Sequence, residues 1–306
     1  MRKPRIFFLV GPTSTGKTEA AIYLAKKLNA EIISCDSMQV YKGMDIITSK
    51  PSITLRKKVP HHLIGVLSPS KEYNVSRYRK DALKKVQDIL KRGKSPLFVG
   101  GTGLYMTILV DGIFSLGKKS GAIRKQLYKL KEAYGNRYLY KRLQKVDPEA
   151  ASKIHPNDAK RVIRALEVFK STGKPISYLQ KQRKGFSQEY GVKIFSLNMP
   201  REELYKRIGA RVEKMFARGL LGEVKKLSKT KLSKTASYAI GIRELKGYFA
   251  GVYDLDEAKR RIKHNTCLYA KRQLTWFRKD KRVHWVNIND RQGPKGVAEK
   301  IWKELC

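Results

Sequence analysis

The octapeptide Gly11-Pro12-Thr13-Ser14-Thr15-Gly16-Lys17-Thr18 fits the pattern G-x-x-x-x-G-K-[ST] in full. It follows an apolar run, Ile6 to Val10, and precedes a stretch of helical spacing that reaches about Asn29. A glycine-rich turn between a strand and a helix is the context in which this pattern closes around phosphate. The glycines let backbone N–H groups converge on phosphate oxygens, and the helix N-terminus adds partial positive charge. Lys17 is placed to reach the outer phosphate, and the Thr18 hydroxyl to ligate Mg²⁺. All eight residues, Gly11 to Thr18, therefore form the expected phosphate site.

The segments that follow alternate strand and helix. Glu31 to Ser34 reads as a second short strand, Pro60 to Leu67 as irregular, and Val75 to Lys91 as a helix with apolar residues at helical spacing. Pro96 to Val99 is a third buried strand, closed by Gly100-Gly101. This order predicts an α/β fold of the P-loop NTPase type, a parallel sheet flanked by helices. Residues 118–190 differ, with few strand signals and many Lys, Arg and Tyr. Asn157-Asp158 caps a helix that ends near Gly173. We read an inserted, mostly helical domain over 118–190, within a discontinuous core domain of 1–117 and 191–306. Strand signals return at Val192 to Leu197 and Val283 to Val286, with helices expected over 202–218, 236–249 and 256–279 and at the C-terminal end.

Composition narrows the partners. Of 306 residues, 67 are Lys or Arg and 26 are Asp or Glu, a formal net charge of +41. The charge is spread along the chain and is densest in the middle segment, so it is not a tail. A polyanionic partner, nucleic acid above all, fits such a balance; a generally basic proteome is the plain alternative. With 41% hydrophobic residues the chain can build a core. No apolar run approaches the ~18 residues of a membrane span. Cys35, Cys267 and Cys306 are far apart, which excludes a disulfide scaffold and fits the cytoplasm.

P-loop hydrolases hold the Mg²⁺ shell with an acid at the end of another strand. The Pro96 to Val99 strand ends in Gly100-Gly101-Thr102-Gly103 and offers none, which leaves Asp36, after Ile32-Ile33-Ser34-Cys35. Asp36 is either a metal-shell acid of a kinase or ATPase, a base acting on a substrate, or a cap of the next turn.

Asp36-Ser37-Met38-Gln39-Val40-Tyr41, taken with the P-loop, resembles the tRNA dimethylallyltransferases. Further strings of that resemblance follow in order: Thr48-Ser49-Lys50-Pro51, His61-His62-Leu63-Ile64, Gly100-Gly101-Thr102-Gly103-Leu104-Tyr105, and His155-Pro156-Asn157-Asp158 with Arg161 and Arg164 to Glu167. Arg211 to Met215 with Gly219-Leu220, and Tyr269 to Arg278, complete it. The chain departs from the family at Ile47, where a small residue is usual, and at Ser115-Leu116-Gly117, where a proline is usual. It lacks a zinc-finger extension of the eukaryotic kind, and so looks like a bacterial form.

The resemblance implies transfer of a dimethylallyl group from its diphosphate to the exocyclic N6 amine of the adenosine immediately 3′ of the anticodon. The P-loop then serves a diphosphate leaving group. Asp36 is the implied general base. Lys17, Arg211 and Mg²⁺ would stabilise the leaving diphosphate, and Thr102 would lie close to both substrates. Bases that undergo chemistry are extruded from their stack; Ser37, Met38 and Gln39 would line the receiving pocket. Arg124, Lys160, Arg161, Arg164 and Arg278 are the implied tRNA contacts, on the anticodon arm. For Arg272, Gln273, Thr275, Trp276 and Arg278, stacking on bases competes with core packing, and the spacing of Leu268, Trp276 and Phe277 favours core. His61-His62 reads as loop-structuring. A monomer is the default expectation. The competing readings are a small-molecule or nucleotide kinase and a non-catalytic RNA-binding protein.

Overall fold

The computed structural model of the chain describes residues 3–114, 121–289 and 292–305. The expected boundary at 117/118, the tripeptide Ser115-Leu116-Gly117 and Cys306 lie outside the described residues. In chain order the elements are β1 (Arg5–Val10), α1 (Lys17–Lys27), β2 (Ala30–Ser34), α2 (Ile53–Lys58), β3 (His61–His62), α3 (Val75–Lys91), β4 (Ser95–Val99) and α4 (Gly103–Val110). Then come α5 (Gly121–Val146), α6 (Pro148–Lys153), α7 (Ala159–Thr172), α8 (Ile176–Lys181) and α9 (Phe186–Glu189). The last are β5 (Gly191–Asn198), α10 (Arg201–Ala217), α11 (Leu220–Ser228), α12 (Ile242–Phe249), α13 (Leu255–Arg278), β6 (Val283–Asn287) and α14 (Pro294–Lys303).

Among the described residues, the strands form one parallel sheet in the order β3-β2-β4-β1-β5-β6. Parallel strands covered on both faces read as continuous apolar runs, and Ile6 to Val10 is buried throughout. The P-loop leaves the C-terminal end of β1, between β4 and β5. Asp36 leaves the same end of β2, and Gly100 that of β4. Ligands of open α/β sheets bind at this edge, where the chain departs in opposite directions from neighbouring strands. One apolar core joins Phe7, Leu9, Ile32 and Leu97 of the sheet to Ala21 and Leu24 of α1 and Val297 and Ile301 of α14.

The chain divides into two compact units, residues 1–110 with 189–306, and residues 111–188. The second unit has its own core, built from Leu127, Leu139 and Leu143 of α5 and Val162, Ile163 and Leu166 of α7. Its helix α7 begins where Asp158 accepts from the Arg161 N–H at 3.1 Å and ends at Gly173, whose φ is 69°. Buried Asp147 caps α6 through the Ala150 N–H at 2.9 Å and also takes the N–H and hydroxyl of Ser177.

Two local expectations are corrected. Pro60 to Leu67 is not wholly irregular: His61–His62 pairs in parallel with Ile32 and Ile33, because His62 Nε2 lies 2.7 Å from the Glu31 carboxylate at the sheet edge. Residues 236–249 are not one helix. A 3₁₀ turn at Ala236–Tyr238 is separated from α12 by Gly241, whose φ of 106° no helix accommodates and whose N–H is taken by Glu244 at 2.7 Å.

Candidate functional site

Three left-handed residues shape the P-loop: Gly11 (φ 129°), Ser14 (φ 66°) and Gly16 (φ 79°). Gly11 is required by space as well, since a Cβ there would sit 3.0 Å from the Leu197 carbonyl oxygen of β5. Successive N–H groups in such a turn form an anion-binding concavity. Thr15 ties the loop from within, its hydroxyl donating to the Pro12 carbonyl at 2.9 Å. Among the described residues, Ser14 Oγ is buried without a hydrogen-bond partner. A buried hydroxyl left unpaired costs free energy, and a phosphate oxygen would satisfy it.

Two cations meet this loop. Lys17 Nζ donates to the Pro12 carbonyl at 2.5 Å, and Arg211 of α10 donates to the Thr13 hydroxyl. Burial, and then the neighbouring Arg211, pull the Lys17 ammonium down to about 7, against the opposing pull of Asp36 and Glu19. Burial likewise lowers Arg211 below its ordinary value. The site thus concentrates positive charge at a cost that an anion would remove.

The ends of β2 and β4 are stitched together beside it. Gly100 lies so close to Cys35 that a Cβ would meet the Cys35 carbonyl at 2.2 Å, and the Thr102 N–H donates to that same carbonyl at 3.1 Å. Thr102 Oγ1 accepts from the Ser37 N–H at 3.0 Å. Asp36 Oδ1 accepts from the Met38 N–H at 2.8 Å, an Asx turn that fixes the carboxylate. Gln39 is aimed by Ser34, whose hydroxyl donates to its carbonyl at 3.1 Å.

These groups open into one cavity of about 910 Å³. Thr13, Ser14, Gly16, Lys17, Thr18, Asp36, Ser37, Met38, Gln39 and Arg211 line it together. Gly11, Pro12 and Thr15 shape the loop from behind, and Thr102 stands behind Ser37 and Tyr269. The cavity's far lining comes from the 47–52 segment, from Val212 and Met215 of α10, and from Ile262 and Thr266 of α13.

Glu223 escaped sequence reading, and Gln273 and His61 take places other than those expected. Gln273, buried on α13, accepts the Thr13 N–H at 2.9 Å and donates to the Gly101 carbonyl at 2.8 Å, so one side chain joins the P-loop to the β4 turn. Glu223 of α11 accepts the N–H groups of Asp45, Ile46 and Ile47 at 2.8–2.9 Å. His61 lines the cavity, its Nδ1 held 2.7 Å from the Val59 carbonyl oxygen. Trp276 is half-buried against Gly103, its Nε1 donating to Thr107 at 3.3 Å, and Phe277 is fully buried. Leu268, expected in the core, is instead 39% exposed, because it sits off the α13 face that carries Ile262, Tyr269 and Gln273. Arg278 is exposed at the C-terminal end of α13.

In the second unit, Arg124 and Arg164 both bind the buried Glu167 carboxylate, at 2.7 and 2.9 Å. Burial would raise Glu167, but the two arginines outweigh it and hold the carboxyl below its usual value. Arg161 pairs with Asp158 at 3.3 Å, and Lys160 is exposed. On α5, exposed Tyr134 and Tyr138 pair with ring centroids 4.8 Å apart, and Arg142 lies over Tyr138.

Among the described residues no group of three or more His, Cys, Asp or Glu could hold a metal ion, and no helix is long and apolar enough to cross a membrane. A family model described as IPP transferase matches residues 39–280, and one described as isopentenyl transferase matches residues 4–57. The chain is 43% identical over 304 residues to the tRNA dimethylallyltransferase of Halothermothrix orenii, covering 98% of this chain and 91% of that one. It is similar to the crystal structure of a tRNA isopentenylpyrophosphate transferase from Bacillus halodurans, at 39% identity and a TM-score of 0.71, covering 99% of this chain and 97% of that one. A eukaryotic dimethylallyltransferase, captured acting on tRNA, matches at 30% identity and a TM-score of 0.83, covering 98% of this chain and 77% of that one.

Proposed function

The chain belongs to the IPP transferase family, and on that premise we propose that it moves a dimethylallyl group from dimethylallyl diphosphate to the N6 amine of the adenosine immediately 3′ of the anticodon in tRNA. Diphosphate is the second product. The observation that carries this reading is the single cavity lined at once by Lys17, Arg211 and the unpartnered Ser14 hydroxyl, and by the carboxylate of Asp36. One end suits a diphosphate and the other a base that must lose a proton. The relatives are transferases, and the kinase reading is set aside.

The N6 lone pair is delocalised into the purine ring, so attack needs help. As the N6–C1 bond forms, the C1–O bond breaks and its electron pair leaves with the diphosphate. Asp36 takes the N6 proton. Its Oδ1 is fixed by the Met38 N–H, and Oδ2 carries no hydrogen bond among the described residues. General-base help of this kind is worth roughly 10²–10⁴ in rate. Lys17, Arg211 and the loop N–H groups meet the growing negative charge. Thr102, which accepts the Ser37 N–H, holds Ser37 from behind the cavity wall and is proposed to act close to both substrates. Ser37, Met38 and Gln39 line the place of the extruded adenine, with Gln39 available to its edge.

Mg²⁺ fits the donor set. The Thr18 hydroxyl is a hard oxygen donor in the cavity wall, and Mg²⁺ binds through few protein groups while keeping water and substrate phosphates. Thr18 would hold the ion, which neutralises charge on the diphosphate.

Lys160, Arg161, Arg164, Arg124 and Arg278 are proposed to meet the anticodon arm, with Arg124 and Arg164 presented by their shared carboxylate, Glu167. A net charge of +41 supports a polyanionic substrate. We assign the 118–190 region as the tRNA-contacting domain, the cytoplasm as the compartment and a monomer as the working form.

The test is mass spectrometry of unmodified tRNA incubated with the protein, Mg²⁺ and dimethylallyl diphosphate. A dimethylallyl mass gain on the adenosine 3′ of the anticodon, lost with Asp36→Ala while tRNA affinity persists, is expected. No gain across several tRNAs would refute the reaction, and normal turnover by Asp36→Ala would refute the base.

A further inference from the structure

Beyond the phosphate loop the cavity runs on to an apolar end, and we propose that Ile47, set against Gly241 and Ile262, limits the length of the donor's hydrocarbon chain to five carbons. The inference rests on the proposed function, because it names a property of the same donor site.

The direction of the cavity follows from two antiparallel helices. Glu213 of α10 pairs with Lys263 and Lys259 of α13 at 2.6 and 3.4 Å, and Lys259 lies over Phe216. At the loop end, Arg211 and Gln273 both reach Thr13. Moving away along α10, the lining residues after Arg211 are the buried Val212 and Met215 and the exposed Lys214 and Arg218. Moving the same way along α13, they pass from Gln273 through Tyr269 and Thr266 to Ile262. On both helices the buried lining residues beyond the loop end are apolar, Val212 and Met215 on α10 and Ile262 on α13. Ile262 lies seven residues from Tyr269, or ~10 Å along the helix axis. A donor held by its diphosphate at the P-loop, with C1 beside Asp36, has this apolar stretch to hold its chain out of water.

The stretch is closed by contact. A Cβ built on Gly241 would meet Ile47 Cδ1 at 3.2 Å and Ile262 Cδ1 at 4.0 Å, so the three residues converge, and Ile47 sits too close to Gly241 for a methyl group to fit without a shift. Ile47 is 6% exposed and Ile262 1%. The wall is also held rigidly. Glu223 takes three consecutive N–H groups, including that of Ile47. Lys50 Nζ is buried between the Tyr41 carbonyl and the Asp45 carboxylate, and Thr48 donates to the Met44 carbonyl at 2.5 Å. On the facing side, Glu244 accepts the Gly241 N–H at 2.7 Å and is itself held by Asn265 at 2.6 Å. Charge-assisted bonds of this kind are the stronger class. A wall that cannot yield rejects a longer chain by overpacking, whereas a loose one would admit it.

The experiment is a competition. The full chain is given unmodified tRNA with equal concentrations of dimethylallyl diphosphate and geranyl diphosphate, and the product ratio is read by liquid chromatography and mass spectrometry. The wild type is expected to make the dimethylallyl product almost exclusively. Ile47→Ala is expected to raise the geranyl-to-dimethylallyl ratio at least ~10-fold, since each methylene in such a pocket is worth roughly 10–200-fold. Ile262→Ala acts on the same wall from α13 and serves if Ile47→Ala fails to fold. Glu223→Gln, which keeps Ile47 but offers one acceptor oxygen to three N–H groups, shifts the ratio the same way by less. An unchanged ratio in the folded variants, with dimethylallyl transfer persisting, overturns the proposal, as does a wild type that accepts geranyl diphosphate equally. A wild type that transfers no dimethylallyl group removes the parent reading and this inference with it.

Discussion

Replacing Gln273 by leucine tests whether the site depends on a single buried side chain. Leucine keeps most of the volume that packs on Gly101, where a Cβ would sit 2.0 Å from the glutamine nitrogen. What it removes is the acceptor for the Thr13 N–H and the donor for the Gly101 carbonyl. Each buried group left unpaired costs ~1–3 kcal/mol. Water entering the cavity would lessen that, so the pair should cost about 3 kcal/mol. The protein can lose it as global stability, or the P-loop and the β4 turn can shift to find other partners. A shift of ~1 Å between reacting groups costs on the order of 10² in rate. Urea unfolding followed by circular dichroism measures the first, and single-turnover dimethylallyl transfer the second. Gln273→Glu separates the roles further. It keeps an acceptor for Thr13 but loses donation to Gly101 and adds negative charge near the diphosphate, so KM for the donor should rise more than in the leucine variant. Stability within ~0.5 kcal/mol of wild type together with an unchanged turnover in Gln273→Leu would refute the reasoning.

Diphosphate binding should take up a proton above pH 7, because Lys17 is held down to about 7 in the free protein and an anion restores its charge; calorimetry at pH 8 in buffers of different ionisation enthalpy reads this, and zero uptake would contradict it. Glu31 predicts acid lability. Burial would raise its carboxyl, but Arg92, His62 and Lys94 outweigh burial and hold it down to about 2. A depressed carboxyl stabilises the fold above its unfolded value near 4.5, and that contribution, at most ~3 kcal/mol, is lost as pH falls from 4.5 toward 2. The stability gap between wild type and Glu31→Gln should therefore narrow over that range, and a constant gap would count against it. Asp147→Ala strands the Ala150 and Ser177 N–H groups; a loss of ~2–4 kcal/mol is expected in the second unit, read by hydrogen exchange across α5 to α8.

Local signals made most of the fold legible. Ile6 to Val10 is a short apolar run bounded by a glycine turn, and it became the strand from which the P-loop springs. Asp158 and Gly173 mark the ends of α7 by capping chemistry that depends on few neighbours. The failures have a common cause. His61–His62 is too short to show periodicity, and its strand exists because Glu31, far back in the chain, anchors His62. The 236–249 segment has helical spacing throughout, and its break at Gly241 is imposed by a contact with Glu244 and by the crowding of Ile47 and Ile262. Tertiary contacts decided these points, and no window of sequence contains them.

The site divides along the same line. Most of the residues proposed to react, Thr102 and Arg211 excepted, sit in contiguous strings, Gly11 to Thr18 and Asp36 to Gln39, because a strand end presents consecutive residues to one cavity. The residues that hold those strings in place do not. Gln273 is 260 positions from Thr13, and Glu223 is 176 from Ile47. Yet α13 carries a trace of its role. Ile262, Thr266, Tyr269, Gln273 and Phe277 fall at helical spacing on one face, and three of them are polar where a core helix would place apolar residues. A buried polar group must find a partner, so a polar residue on an otherwise core-facing stripe announces a distant backbone group awaiting it. For Gln273 that group is the P-loop itself. Reading such stripes for their polar members, and asking which loop lacks a partner, would have extended the site from the reacting groups to the scaffold that aligns them.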